Sequence, residues 1–308
     1  MLKGYRPMIF NYKNILNDLA RNDNSLHQIT TVEKENLKKC LYEMAVDLDT
    51  RCRKHGINLF LVGGTLLGAI RHGGFIPWDD DMDFGLSRQD YSKLIDIFEE
   101  EFGEEYYLRC PNSPYSNGNR FMQIFKKGTI LKTIGEENPL QPSCVSIDIF
   151  PYDFVPENKF KRKLLGMYAN AKMLVASCVM DHVYMDPKLK VALMKASNGK
   201  LYMVLRELIG IIFSFHTPEW WFDSVDRTIA YPVQTSLLTS ATGRKHYFGE
   251  IYPSNIFFPL EEAKFENHIF YVPRKYKVYL EGNYGRDFMI IPKKEQRESH
   301  FITELKID

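Results

Sequence analysis

Leu61-Val62-Gly63-Gly64-Thr65 and, further on, Pro77-Trp78-Asp79-Asp80-Asp81-Met82-Asp83-Phe84 are the stretches on which the reading of this chain turns. Asn58–Val62 is a short apolar run ending in a Gly-Gly pair, the pattern of a buried strand entering a tight turn. A second short strand fits Met82–Leu86. Between them, the carboxylates of Asp79, Asp80, Asp81 and Asp83 crowd together and repel one another unless a positive charge sits among them. In an extended Asp81-Met82-Asp83 both acids face one side and Met82 the other, because strand side chains alternate. Asp79 shares that side if the strand begins early, and Asp80 points away. Two acids so placed suit a hard divalent cation, Mg²⁺ or Mn²⁺, which prefers oxygen ligands. A solvated acidic turn is the alternative.

Working outward, Ile147-Asp148-Ile149 sets another acid inside an apolar run. A lone buried charge there is costly, and a neighbouring cation removes the cost; a local cap is the other reading. The expected metal-binding and catalytic set is therefore Asp81, Asp83 and Asp148. Gly63, Gly64 and Thr65 complement it. Glycines let the backbone approach a phosphate, and N–H groups at the start of a helix over 65–71 point at it. Neither a Walker loop nor a dinucleotide fingerprint is present. Arg71 and His72 follow the turn, positioned to pair with the acids or to touch phosphate. Lys126 and Lys127 close a strand and either reach a diphosphate or are solvated. These residues alone point to metal-dependent phosphoryl transfer at a Gly-Gly turn beside an acidic strand.

The rest of the chain frames that site. Thr30 with Glu33 forms a capping box for a helix over 31–55, stopped by Gly56. Ser87 with Asp90 opens another helix, to Phe102. Further strands are expected at Phe121–Phe125, Thr129–Ile134 and Val145–Phe150. Residues 158–230 read as helical with a break at Asp186-Pro187; short strands near Lys264–Phe265 and His268–Val272 and a helical turn at Tyr276–Leu280 follow. The expected fold class is α+β, a mixed sheet flanked by helices with a helical middle insertion and a C-terminal segment packing back. Its divisions are an N-terminal extension over 1–30, a core over 31–155, a helical subdomain over 156–232 and a C-terminal segment over 233–308.

Composition excludes several classes. The 308 residues carry Lys+Arg 40 against Asp+Glu 39, a net charge of +1, which argues against a nucleic-acid-binding surface spread over the chain. Apolar residues are 44% and charged residues 26%, enough for a sizeable core. Cys40, Cys52, Cys110, Cys144 and Cys178 form no C-x-x-C pair, so reduced thiols are expected. Neither a secretory signal nor a stretch long enough to span a bilayer is evident, and a cytoplasmic location is expected.

The run from Leu61 to Asp83 closely resembles the signature of the LicD family, phosphocholine transferases related to the fukutin group within the nucleotidyltransferase superfamily of DNA polymerase β. The likeness continues in Asp148-Ile149-Phe150-Pro151, Phe265-Glu266, Val272-Pro273, Tyr279-Leu280, Tyr284-Gly285, Phe288-Met289, and Arg297 with His300. Asn267 stands where the family often has Gly, and Lys277 where an Asp is common. The resemblance implies a nucleotidyltransferase-like core. It also implies transfer of phosphocholine from CDP-choline, or a similar phospho-alcohol from its CDP-alcohol, to a hydroxyl of a glycan or its lipid-linked precursor, with CMP leaving. Asp148 then either completes the metal clamp or takes the acceptor's proton, and His300 joins the donor-binding set. Polyol-phosphate or nucleotidyl transfer, and a silent nucleotide-binding module, are the competing readings. A choline head needs an aromatic cage, for which Trp78, Tyr152, Tyr247 and Phe248 are candidates against ordinary core packing. Lys159, Lys161, Arg162 and Lys163, with the greasy Leu208–Phe215 and Trp220-Trp221, suggest peripheral contact with the inner face of a membrane. A solvated basic face plus a buried core helix is the alternative.

Overall fold

The computed structural model describes residues 27–133, 142–196, 199–293 and 301–307. The capping box acts as expected: Thr30 Oγ1 accepts from the Glu33 N–H, Glu33 reaches back to the Thr30 N–H, and α1 (Thr31–Lys54) follows. Its Leu37, Leu41, Met44, Ala45 and Leu48 turn inward at helical spacing. The short strand β2 (Phe60–Leu61) then feeds α2 (Gly63–His72), and β3 (Asp83–Ser87) ends at Ser87, whose hydroxyl caps α3 (Arg88–Phe102).

Beyond these lie β4 (Tyr106–Arg109), β5 (Met122–Lys126), β6 (Ile130–Thr133) and β7 (Ser146–Phe154). Four helices come next: α4 (Lys159–Tyr184), α5 (Pro187–Lys195), α6 (Gly199–Phe213) and α7 (Pro218–Ile229). The chain continues through β8 (Leu237–Thr239), α8 (His246–Gly249), β9 (Tyr252–Pro253), the hairpin β10 (Glu261–Phe265) and β11 (His268–Val272), and α9 (Tyr276–Tyr284). The main sheet runs β10-β11-β2-β3-β7-β5-β4, with β8 and β9 extending from β7. It is mixed: β3 pairs parallel with β7 and β11 with β2, while β2–β3, β5–β7 and β4–β5 are antiparallel. The fold is α+β, and the C-terminal hairpin returns to the sheet through the pairing of Tyr271 with Phe60.

A small second sheet joins β1 (His27–Gln28), β12 (Phe301–Lys306) and β6. The expected N-terminal extension over 1–30 lies outside the described residues up to residue 26. His300 and Arg297 lie outside them as well.

Several boundaries differ from expectation. The strand expected over Asn58–Val62 contracts to Phe60–Leu61. The one expected at Met82–Leu86 starts one residue later, because Pro77-Trp78 turns the chain and residues 79–82 are not strand. β7 runs on through Pro151-Tyr152 to Phe154: Pro151 pairs with Leu86 in the parallel ladder, so the change of texture there is not the end of an element. Glu266-Asn267 close the β10–β11 hairpin, with Glu266 at φ 53° and its carboxylate accepting from the Phe75 N–H. Asn267 is not in the left-handed region, so no glycine is demanded there.

Aromatic residues fill much of the core. Phe60, Tyr152 and Phe257 form one cluster, and the four thiols of Cys40, Cys52, Cys110 and Cys178 are buried while Cys144 is half-buried, all of them free. A second cluster lies under the helices, around Val155, Met173, Trp221 and Val225. Arg88 joins the two regions: its guanidinium donates to both Asp153 oxygens at 2.6 and 2.8 Å and to Asp226 Oδ1 at 2.9 Å.

Candidate active site

One row of side chains crosses the sheet. Asp83 of β3 sits opposite Asp148 of β7, and Asp148 opposite Gln123 of β5, so the three project from one face. Gln123 Nε2 donates to Asp148 Oδ1 at 2.9 Å, and Asn119 Nδ2 in turn donates to Gln123 Oε1. The Asp148 N–H donates to the Met82 carbonyl at 3.1 Å, locking the strands in register beneath the acids. Asp148 is buried.

The Gly-Gly turn closes over this row. Gly63 has φ 55°, and a Cβ there would stand 2.9 Å from Asp83 Oδ2; a Cβ on Gly64 would stand 2.8 Å from Asp79 Oδ2. A side chain at either position would push a carboxylate aside, so the glycines let the acids sit against the first turn of α2, whose positive end favours negative charge. Val62 provides no side-chain cap to that helix. Two groups expected to meet phosphate have protein partners. The Gly63 N–H donates to the Tyr279 hydroxyl at 3.2 Å, and Thr65 Oγ1, itself buried, accepts from the Asp83 N–H at 2.8 Å. Thr65 thus fixes the backbone of a site carboxylate.

Asp79, Asp80 and Asp81 bring one carboxylate oxygen each to within 4.8 Å of one another. Asp80 therefore joins the cluster instead of pointing away: residues 79–82 are not strand, and the alternation inferred for an extended segment begins only at Met82, which is fully buried. Asp79 is held well above the usual carboxylate range, first by loss of water, then by the charges of Asp81 and Asp80, a hydrogen bond with Asp81, and Asp83. The donor set is all oxygen and densely negative. It fits a hard divalent cation, which would relieve the repulsion that raises Asp79.

Cationic and hydroxyl groups ring the acids. Lys38 donates to the Ile76 and Pro77 carbonyls at 2.8 and 3.1 Å, with Asp79 and Asp80 acting on its charge. Burial pushes the Tyr284 hydroxyl up, as do Asp83, Asp79 and Asp81, against the opposing charge of Arg244. Near Asp148, burial pushes Arg120 down to about 10 against the pull of Asp148, and burial together with Arg120 pushes His246 down to about 4.

The remaining expected residues are more dispersed. Arg71 donates to the Phe288 carbonyl at 2.8 Å and to His72 Nε2 at 2.9 Å, tying the C-terminal segment to α2 while lying near Asp79. His72 packs edge-on against Trp78. Lys126 stands three residues along β5 from Gln123 and pairs with Glu43 of α1 at 3.9 Å; Lys127 donates to the Gly103 carbonyl. Of the cage candidates, Tyr152 and Tyr247 are core residues, whereas Trp78 is half-buried and Phe248 exposed. Reading the sequence missed Gln123, Arg120, Arg244 and Lys38, and named Tyr284 only within the family likeness, with no role. A signal existed for Gln123, the one polar residue in Phe121–Phe125, in the same relation to its strand as Asp148 to its own.

Residues 56–175 match the family described as LicD/FKTN/FKRP, nucleotidyltransferase domain. The chain is 30% identical over 265 residues to the lipopolysaccharide cholinephosphotransferase LicD of Haemophilus influenzae, covering 83% of this chain and 91% of that protein. The chain belongs to the LicD family. A shorter segment of 35 residues is 54% identical to the ribitol 5-phosphate transferase FKRP of Homo sapiens, 11% of this chain and 7% of that protein. An uncharacterized Rickettsia typhi protein, RT0683, is 38% identical over 119 residues, 39% of this chain and 36% of that one. For this LicD-family chain, the matched region contains the Gly-Gly turn, the acidic cluster and Asp148 together.

Proposed function

We propose that this chain transfers a phospho-alcohol, phosphocholine first among the candidates, from a CDP-alcohol donor to a glycan hydroxyl with release of CMP. The observation that carries the reading is the row Asp83–Asp148–Gln123 facing the Asp79–Asp81 cluster at the start of α2. Likeness to a lipopolysaccharide cholinephosphotransferase over most of the chain supports the transferred group and the acceptor class. Asp79, Asp80 and Asp81, with Asp83 and Asp148 in the neighbouring row, would hold Mg²⁺ or Mn²⁺. When bound, that ion neutralises charge on the donor diphosphate and on departing CMP.

The chain's own residues supply position. Thr65 holds Asp83 in place, and Gln123 orients Asp148. The acceptor hydroxyl attacks the alcohol-bearing phosphorus, the bond from that phosphorus to CMP oxygen breaks, and the hydroxyl proton passes to a carboxylate. Asp148, beside Arg120, is the base or completes the ligand set. Arg244 and Tyr284, whose charge and hydroxyl act within the field of the acids, would offer phosphate a cation and a hydroxyl donor.

Incubation with CDP-choline, Mg²⁺ and extracted cell-surface glycans, read by mass spectrometry for added phosphocholine, tests the assignment; no mass gain with any CDP-alcohol would sink it. The FKRP likeness favours a second donor, CDP-ribitol. Thermal shifts with CDP-choline, CDP-ribitol and CTP, with and without Mg²⁺, separate the two: the true donor stabilises the fold in a metal-dependent way.

A further inference from the structure

Helix α6 turns an apolar stripe outward while burying a charge. At helical spacing, Leu201, Val204, Leu205, Leu208, Ile211 and Ile212 share one face, and all are exposed, Leu201 at 65% and Ile212 at 63%. The opposite face packs inward through Met203, Arg206 and Gly210, with a buried charge among them. Arg206, only 4% exposed, donates from Nε to Asp181 at 2.6 Å and from Nη2 to the Ser177 carbonyl at 3.0 Å. Glu207 accepts from Lys190 at 2.8 Å and pairs with His182 at 2.8 Å. A helix whose outer face met only water would carry its charges outside and its aliphatic groups inside. The stripe is continuous, unlike the scattered apolar residues of an ordinary surface. Phe215, 67% exposed, extends it past the helix end, followed by Trp220 stacked on His216. The alternative expectation of a buried core helix over Leu208–Phe215 is thereby overturned.

Charge identifies what covers this face. Residues 158–200 hold nine Lys/Arg and two Asp. Lys195 and Lys200, both exposed, stand at the start of the stripe, Lys200 just off its edge. Arg162, expected to take part, instead donates to the Pro156 and Glu157 carbonyls and secures the start of α4. A second copy docked with its α6 parallel would set these lysines against their own kind. An anionic bilayer surface offers acyl chains for the aliphatic stripe, phosphates for the lysines and an interfacial level for Trp220.

We propose that α6 lies on an anionic lipid bilayer, with Leu201 to Phe215 sunk to the headgroup boundary and Lys195 and Lys200 on lipid phosphates. The inference is independent of which group the enzyme transfers. The test is flotation of the full chain with vesicles of equal parts phosphatidylglycerol and phosphatidylcholine, and with phosphatidylcholine alone. The parent chain is expected to float with the first. Leu208→Glu/Ile212→Glu is expected to weaken this at least about tenfold, and Lys195→Ala/Lys200→Ala by roughly fivefold per lysine. Both variants should keep the parental unfolding midpoint, because the side chains are exposed. The proposal is overturned if the parent fails to float with anionic vesicles, or if the Glu variant floats equally well. It is also overturned if light scattering shows a parental dimer that the Glu variant dissolves, since a second copy would then own the face.

Discussion

At the scale of single residues, the site rests on small groups that hold acids in place. Thr65→Val keeps the volume but leaves the Asp83 N–H without its acceptor. The expected cost is about 1–3 kcal/mol in denaturant unfolding, with a fall in turnover; Thr65→Ser should restore both. Asp81→Ala is expected to lower transferase turnover by about a hundredfold or more with little change in stability, since it removes charge from a repulsive cluster. Near-parental turnover in metal-replete buffer would contradict that role. The glycine pair and the acids were legible in the sequence because each breaks a local rule, a bend after an apolar run and charges inside one. Arg120 and Arg244 were not, since each is ordinary in its own segment and only folding brings it to the acids, and Tyr284 was visible in the family likeness without its role.

Among elements, the junction of sheet and helices depends on Arg88, at the first position of α3, gripping Asp153 of β7 and Asp226 of α7. Both acids are buried, so Arg88→Ala strands two negative charges and is expected to cost about 3–5 kcal/mol. Urea titration followed by tryptophan fluorescence, with Trp220 and Trp221 both on α7, measures it; a loss below 1 kcal/mol, roughly the value of an exposed pair, would refute the assignment. Helix starts were readable from sequence, since Thr30, Ser87 and their partners three residues on fill local bonds. Strand ends were not. β4 has no bounding glycine or proline at its start, and β7 passes through Pro151 because parallel pairing there tolerates it.

For the molecule as a whole, Glu250 gives a pH signature. Burial raises its carboxyl from 4.5 to about 7, with only the Lys245 backbone N–H and the Lys245 charge opposing. The folded state therefore binds a proton that the unfolded chain releases between those values, so stability is full below about pH 4.5 and declines as pH rises toward 7. Glu250→Gln is expected to flatten that decline, by about 3–4 kcal/mol at most across the window. Parallel melting curves of the two proteins from pH 5 to about 7.5 check it, and identical slopes would refute it. The α+β class and the returning C-terminal hairpin were foreseeable from the order of strand and helix patterns. The outward stripe of α6 was not, since a greasy helix reads alike whether its oily side faces a core or the outside.

The snug fit of Gly64 against Asp79, and of Gly63 against Asp83, links each pair's fate over generations. A descendant that abandons the chemistry and shortens residue 79 is at once released to put any side chain at 64, and its drift there becomes a dated scar of lost activity. In a living lineage, a methyl group gained at 64 is expected beside a shortened or turned-aside partner at 79. That correlated pair can be sought in gene surveys before any assay is run.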